Sequence, residues 1–155
     1  MASATRQSAG ILLYRRTQGR LQVLLVHPGG PFWAKKDLGS WTIPKGEYGE
    51  GEEPEDAARR EFVEETGATL PNNALTDLGE VRQRSGKRVR AYAVQGDFEP
   101  KELRSNTFEL EWPPRSGARI QVPEVDRAEW FDLDEAVERI LEAQRPFLER
   151  LRETA

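Results

Sequence analysis

Three glutamates, Glu61, Glu64 and Glu65, recur at a spacing that stacks acidic side chains along one side of a helix. Successive helical residues turn by about 100°, so positions i, i+3 and i+4 overlie one another. Like charges held that close repel and raise each other's pKa, and a divalent cation removes the penalty. Mg²⁺ suits such a site because it takes carboxylate oxygens while keeping water and substrate phosphate in its remaining positions. Without other signals the same residues would read as a solvated helix face paired with Arg59 and Arg60. An EF-hand fits less well, because its oxygens alternate along a loop rather than a helix.

The helix that must carry these carboxylates is predicted over Pro54–Thr66. Pro54 suits a first helical position, acidic Glu52, Glu53, Glu55 and Asp56 favour the positive end of the dipole, and Gly67 supplies the stop. Ala58 and Phe62 form an apolar stripe beside the glutamate face, so the helix links a packed core to a polar surface. The branched segments 9–14 and 21–27 predict two strands, the second covered on both faces because Val23, Leu24, Leu25 and Val26 do not alternate. Residues 28–40 read as a surface loop carrying Phe32 and Trp33, of the kind that often holds binding residues.

Downstream, residues 41–43 predict a short strand before Pro44-Lys45-Gly46, followed by a loop over 47–53. Segments 78–84 and 88–96 flank Ser85-Gly86-Lys87 as a hairpin. Weaker strands are expected over 107–112 and 119–122, another at Trp130-Phe131, a helix over 134–143 capped by Asp132 or Asp134, and a last helical stretch from Pro146 to Arg152. Strands interspersed with helices fit an α/β sandwich with a mixed sheet.

A chain of 155 residues is long enough for one domain with a proper core, so residues 1–155 are expected to form a single domain. With 32% charged residues and no apolar run near the roughly 20 that a spanning helix needs, no membrane span is expected. The first seven residues lack an apolar signal core and the chain has no cysteine, so the expected compartment is the cytoplasm. A formal net charge of −4 argues weakly against general nucleic-acid binding, and no stable nucleic-acid complex is expected. These averages leave monomer and homodimer equally open.

In chain order the acidic segment reads Gly46, five residues, Glu52, seven residues, then Arg60-Glu61-Phe62-Val63-Glu64-Glu65-Thr66-Gly67-Ala68. This resembles the Nudix box, matching it at every glycine and polar position. Phe62 and Ala68 stand where the family prefers a branched aliphatic residue, a difference of packing rather than ligation. The resemblance implies the family's α/β/α sandwich and metal-dependent hydrolysis of a nucleoside diphosphate linked to another group. By matching position, Glu64 and Glu65 would be the main Mg²⁺ or Mn²⁺ ligands, and Glu61 a further ligand or the base that orients water. The backbone carbonyl of Lys45 or Gly46 would complete the shell, Arg60 would brace the glutamates, and Glu52 would support the loop or reach a second metal. Glu124, in the loop before Trp130, is a candidate base or extra ligand, with Glu109 and Glu111 weaker candidates.

For the substrate, Arg82, Arg84, Lys87, Arg88 and Arg90 cluster on the predicted hairpin and could meet a polyphosphate, against the plainer reading of a solvated hairpin. Trp33 is the leading candidate to stack on a nucleobase, ahead of Trp41 and Tyr92, which suit a core. His27 ends a strand beside Pro28-Gly29-Gly30 and is either a phosphate contact or structural. The stretch Trp41-Thr42-Ile43-Pro44-Lys45-Gly46 is similar to that preceding the box in diadenosine tetraphosphate hydrolases, which implies a dinucleoside polyphosphate or related nucleotide as substrate. Residues 103–117 have no clear counterpart there. Two other functions fit the same residues: a nucleotide-binding regulatory module with little turnover, and removal of pyrophosphate from 5′-triphosphate RNA.

Overall fold

The computed structural model describes residues 6–71 and 73–155. Its centre is a six-stranded mixed sheet built from β1 (Gln7–Thr17), β2 (Arg20–Pro28), β3 (Lys45–Glu47), β4 (Thr76–Arg82), β5 (Arg88–Gln95) and β8 (Val125–Asp132), in the order β4-β5-β1-β2-β8 with β3 also paired to β1. Among the described strands of this sheet, β1 and β5 run parallel and the other pairings are antiparallel. β6 (Thr107–Glu111) and β7 (Arg119–Pro123) form a separate two-stranded hairpin.

The strands are long and branched at their centres, and both faces are covered, which explains why β2 does not alternate. On one face Ala9, Ile11, Leu13, Leu24 and Val26 pack with Ala57, Ala58 and Phe62 of α1 (Pro54–Thr66). On the other, Leu12, Val23 and Leu25 pack with Leu133 and Ala136 of α2 (Leu133–Arg139) and with Phe147, Leu148 and Leu151 of α3 (Arg145–Thr154). Successive side chains of β1 thus feed alternate cores, giving the expected α/β/α sandwich. No described helix is long and apolar enough to cross a membrane.

Two predicted elements are displaced. Residues 41–43 form only isolated bridges, Val26 with Thr42 and Trp41 with Ile140, and the strand lies a few residues later in β3, where Gly46 faces Ala9. Glycine in a strand reads locally as a break, and pairing to β1 overrides it. The helix expected over 134–143 stops at Arg139, because Trp41 donates its N–H to the Arg139 carbonyl at 2.9 Å and accepts that of Leu141 at 2.8 Å. A short 3₁₀ turn, Glu142–Gln144, then leads into α3.

Candidate active site

α1 delivers the glutamates as the sequence implies, starting at Pro54 and closing on Gly67. That residue adopts φ 78°, and its N–H donates to the Val63 carbonyl at 2.8 Å. The three carboxylates nevertheless meet different surroundings. Glu61 and Glu65 are nearly enclosed, at 12% and 9% exposure, and line a cleft of about 400 Å³, whereas Glu64 is 40% exposed and does not line it. The reason is rotation about the helix axis. Glu65 lies close to the Phe62 stripe that packs on the sheet, and Glu64 lies a further 100° round. Glu124, at the β7–β8 junction, lines the same cleft.

Arg60 organises the helix's outer side. Its Nε and Nη2 each donate to Glu52 at 2.9 Å, a bidentate pairing, while Nη1 donates to Glu61 at 2.6 Å and to Glu64 at 3.3 Å. Glu52 is therefore a brace for the loop, fixed by Arg60 and absent from the cleft lining. Among the described residues no three acidic side chains converge into a ready-made metal cage. Arg60 holds Glu61 and Glu64, and Glu65 instead accepts the Lys45 N–H at 3.2 Å.

Burial makes the cleft carboxyls reluctant to ionise. Burial, only partly offset by the Lys45 charge and its N–H, pushes the Glu65 carboxyl up to about 8. Burial and then the neighbouring Glu64 charge raise Glu61 against the pull of Arg60. Burial also raises Glu124, with Lys45 opposing. Burial followed by the nearby Lys87 charge lowers Lys45. Hard carboxylate oxygens that ionise reluctantly, with water access, are what an oxygen-seeking divalent cation relieves. Gly46 adds a close approach: a Cβ there would lie 1.8 Å from the Glu61 Oε1, so only glycine lets that carboxylate sit against the β3 backbone. Glu61 and Glu65, with Gly46 at the same corner of the cleft, are of the oxygen-donor type that a divalent cation would use.

The opposite wall departs further from expectation. Gln83 and Lys87 of the β4–β5 turn line the cleft, joined by Lys45 and by Trp33 at its rim. Arg82, Arg84, Arg88 and Arg90 do not line it. Arg90 is held by Asp77 at 2.7 Å and Glu80 at 3.9 Å, and Arg88 lies opposite Arg82 across the pair. Arg82 and Arg84 line a neighbouring cleft instead. Strand alternation groups such residues by face but does not reveal which end of the sheet meets the cleft.

His27 is corrected to a structural role. It is fully buried, with Nδ1 on Asp126 at 2.8 Å and Nε2 on the Lys36 carbonyl at 2.6 Å, so neither ring nitrogen is left for phosphate. Trp41 is fully buried and packs edge-on against His27 and Phe131, and Tyr92 belongs to the α1-side core. Glu109 and Glu111 sit on β6, where Glu109 pairs with Arg119 at 3.4 Å and Glu111 accepts the Gly117 N–H at 3.0 Å.

Within residues 103–117, which had no counterpart in the resembling enzymes, the strand expected over 107–112 is β6, and the residues just before it form a strap. Asn106 donates its N–H to the Glu64 carbonyl at 2.9 Å, its carbonyl accepts the Glu124 N–H at 2.9 Å, and the Glu124 carbonyl accepts the Gly29 N–H at 3.0 Å. One backbone chain thereby joins the glutamate helix, Glu124 and the start of the Trp33 loop. Gly29 is as tight as Gly46, since a Cβ would lie 2.1 Å from the Pro123 carbonyl oxygen.

Fold, glutamate helix and acidic cleft together define a Nudix-type architecture, and the family model for the NUDIX domain matches residues 4–151. The chain belongs to the Nudix family. An RNA pyrophosphohydrolase of Rhodospirillum rubrum is 31% identical over 155 aligned positions, covering 93% of this chain and 88% of that protein. An octanoyltransferase of Myxococcus xanthus is 35% identical over 116 positions, covering 75% of this chain, which spans only 28% of that protein's length. Among solved structures, an Ap4A hydrolase of C. elegans in a binary complex superposes with a TM-score of 0.65 at 20% identity, covering 97% of each chain.

Proposed function

We propose that this Nudix pyrophosphohydrolase cleaves a phosphoanhydride in a nucleoside diphosphate linked to another group, with a dinucleoside polyphosphate or related nucleotide as substrate and Mg²⁺ as metal. The observation that carries the reading is one cleft lined by the carboxylates Glu61, Glu65 and Glu124 together with Lys45, Lys87 and Trp33. A pyrophosphate repels an attacking hydroxide, so catalysis needs charge neutralisation on the phosphates and a group to take the water's proton. When bound, Mg²⁺ supplies Lewis acidity, offsetting phosphate charge and acidifying water.

The chain's own groups do the rest. Glu61, Glu64 and Glu65 would hold the cation, with Arg60 keeping Glu61 and Glu64 at fixed stations. Glu124, raised by burial, stands where its basicity is better matched to neutral pH than that of an exposed carboxylate. Lys45 and Lys87 orient phosphate oxygens, and Trp33 offers a face to the nucleobase. Incubation with dinucleoside polyphosphates, nucleoside triphosphates, ADP-ribose and diphosphoinositol polyphosphates tests this. Cleavage of a dinucleotide in Mg²⁺ and none in chelator is expected; inertness toward the whole panel in Mg²⁺ would overturn the reading.

A second reading is favoured by the 31% identity to a protein named RNA pyrophosphohydrolase, over nearly the whole chain. Pyrophosphate release from 5′-triphosphate RNA, faster than cleavage of any free nucleotide, would establish it in place of the first.

A further inference from the structure

A cleft of about 890 Å³ borders the catalytic one, with Gln83 and Leu141 lining both. Arg82 and Arg84 line it from the β4–β5 side, and Ala143 and Pro146 from the side of the 3₁₀ turn and α3. Both arginines are exposed and form no ion pair among the described residues, in contrast to Arg90 on the same hairpin.

Each wall is pinned. Arg150 Nη1 donates to the Leu78 and Glu80 carbonyls of β4 at 3.0 and 3.1 Å, and the turn is closed by the Gln83 N–H on the Lys87 carbonyl at 2.8 Å. Opposite, Leu141 donates its N–H to the Trp41 carbonyl, and the buried Gln144 side chain accepts from the Ile43 N–H at 3.1 Å and donates to the Thr42 hydroxyl at 2.9 Å. A cleft built this way needs little ordering when it is filled. Its shared wall also carries an unmet need, because Gln83 Oε1 is buried without a hydrogen-bond partner. Such an acceptor is costly to leave unmade and favours a ligand that brings a donor.

We propose that this second cleft is the subsite for the far nucleoside of a dinucleotide substrate. The polyphosphate crosses from the carboxylate cleft past Gln83, which accepts from a ribose hydroxyl or base amino group. The second base lies against Leu141, Ala143 and Pro146, within reach of guanidinium groups that stack on planar rings and bind phosphate. Glu142 lines the same cleft and disfavours a terminal phosphate there, so a second nucleoside suits it better than the charged end of a mononucleotide. The proposal rests on the dinucleotide reading above, though not on turnover.

The test is calorimetric binding, in Mg²⁺, of a methylene-bridged diadenosine tetraphosphate and of the methylene analogue of ATP to wild type and to the R82A/R84A double variant. Wild type should prefer the dinucleotide by about tenfold, and the variant should bring the preference close to one. The same double variant is assayed for turnover of diadenosine tetraphosphate, where the ratio of its kcat/KM to that for ATP should fall by a similar factor. No preference in wild type, or a preference unchanged in the variant, overturns the subsite. Intact binding preference with no turnover of either nucleotide would sink the hydrolase reading while leaving the subsite standing. A loss of affinity for a 5′-triphosphorylated oligoribonucleotide that exceeds the loss for the dinucleotide would reassign the cleft to RNA and overturn the proposal.

Discussion

Replacing Glu65 by glutamine should make the metal-free protein more stable at high pH and the metal-loaded protein less so. The carboxyl ionises at about 8 in the folded protein, against an ordinary 4.5, with burial as the main cause. Its folded pKa is raised, so its stability contribution is intact below about 4.5 and is lost as the pH climbs through 8. At 1.36 kcal/mol per pH unit, the full rise corresponds to about 5 kcal/mol against the ionised state. That figure is a ceiling, because buried sites relax and admit water, and a measured gain of roughly 1–3 kcal/mol is expected. Glutamine keeps the acceptor for the Lys45 N–H while removing the charge.

Thermal unfolding in chelator at pH 9 should therefore show Glu65→Gln melting above wild type, by about 2–4 °C per kcal/mol, with the gap vanishing near pH 5. Excess Mg²⁺ should reverse the order, since wild type alone gains binding free energy as metal saturates it. The reasoning is refuted if Glu65→Gln is the less stable protein at pH 9 in chelator, or if Mg²⁺ raises both melting temperatures equally.

Gly46→Ala should drop kcat/KM by two orders of magnitude or more on the order of a lost catalytic group, because its Cβ would fall 1.8 Å from Glu61 Oε1; wild-type kinetics would show that Glu61 has no fixed role. Arg60→Lys keeps the charge but breaks the bidentate grip on Glu52 and the reach to Glu61 and Glu64, so urea melts should show a loss of about 1 kcal/mol and Mg²⁺ affinity should weaken. Gly29→Ala forces the Pro123 carbonyl away and strains the tie to Glu124; turnover should fall with the far-UV dichroism unchanged, and an unaffected kcat would show the strap to be passive. Trp33→Ala should raise KM by about tenfold with kcat little changed, in line with one lost base stack, and steady-state kinetics that show the reverse pattern would remove Trp33 from the substrate's path.

How much of this was visible beforehand differs sharply between elements. α1 was readable to the residue, since Pro54, the acidic first turn and Gly67 act locally, and local rules govern helix ends. The same is true of Gly46, Glu52 and Arg60, whose fixed spacing carries the family pattern. What the spacing does not tell is rotation: it groups Glu61, Glu64 and Glu65, yet packing turns Glu65 inward and leaves Glu64 more exposed. His27 stayed open between two roles because a lone histidine beside a glycine-rich turn carries no mark of the distant Asp126 and Lys36 groups that occupy its ring. For the hairpin arginines the charge cluster is evident in one dimension, whereas the carboxylate cleft is met by the turn residues Gln83 and Lys87. The strand expected over 107–112 is present as β6, but the strap at residues 104–106 was opaque, because main-chain hydrogen bonds leave little trace in side-chain identity.

The most direct test is a crystal grown with Mn²⁺ and a non-hydrolysable dinucleotide, with the ion located by its anomalous signal. The account predicts an ion in the cleft at about 2.1 Å from carboxylate oxygens of the Glu61, Glu64 and Glu65 set, with substrate phosphate on its open side. An ion bound away from those glutamates, or no ion in the cleft with the nucleotide in place, would contradict it.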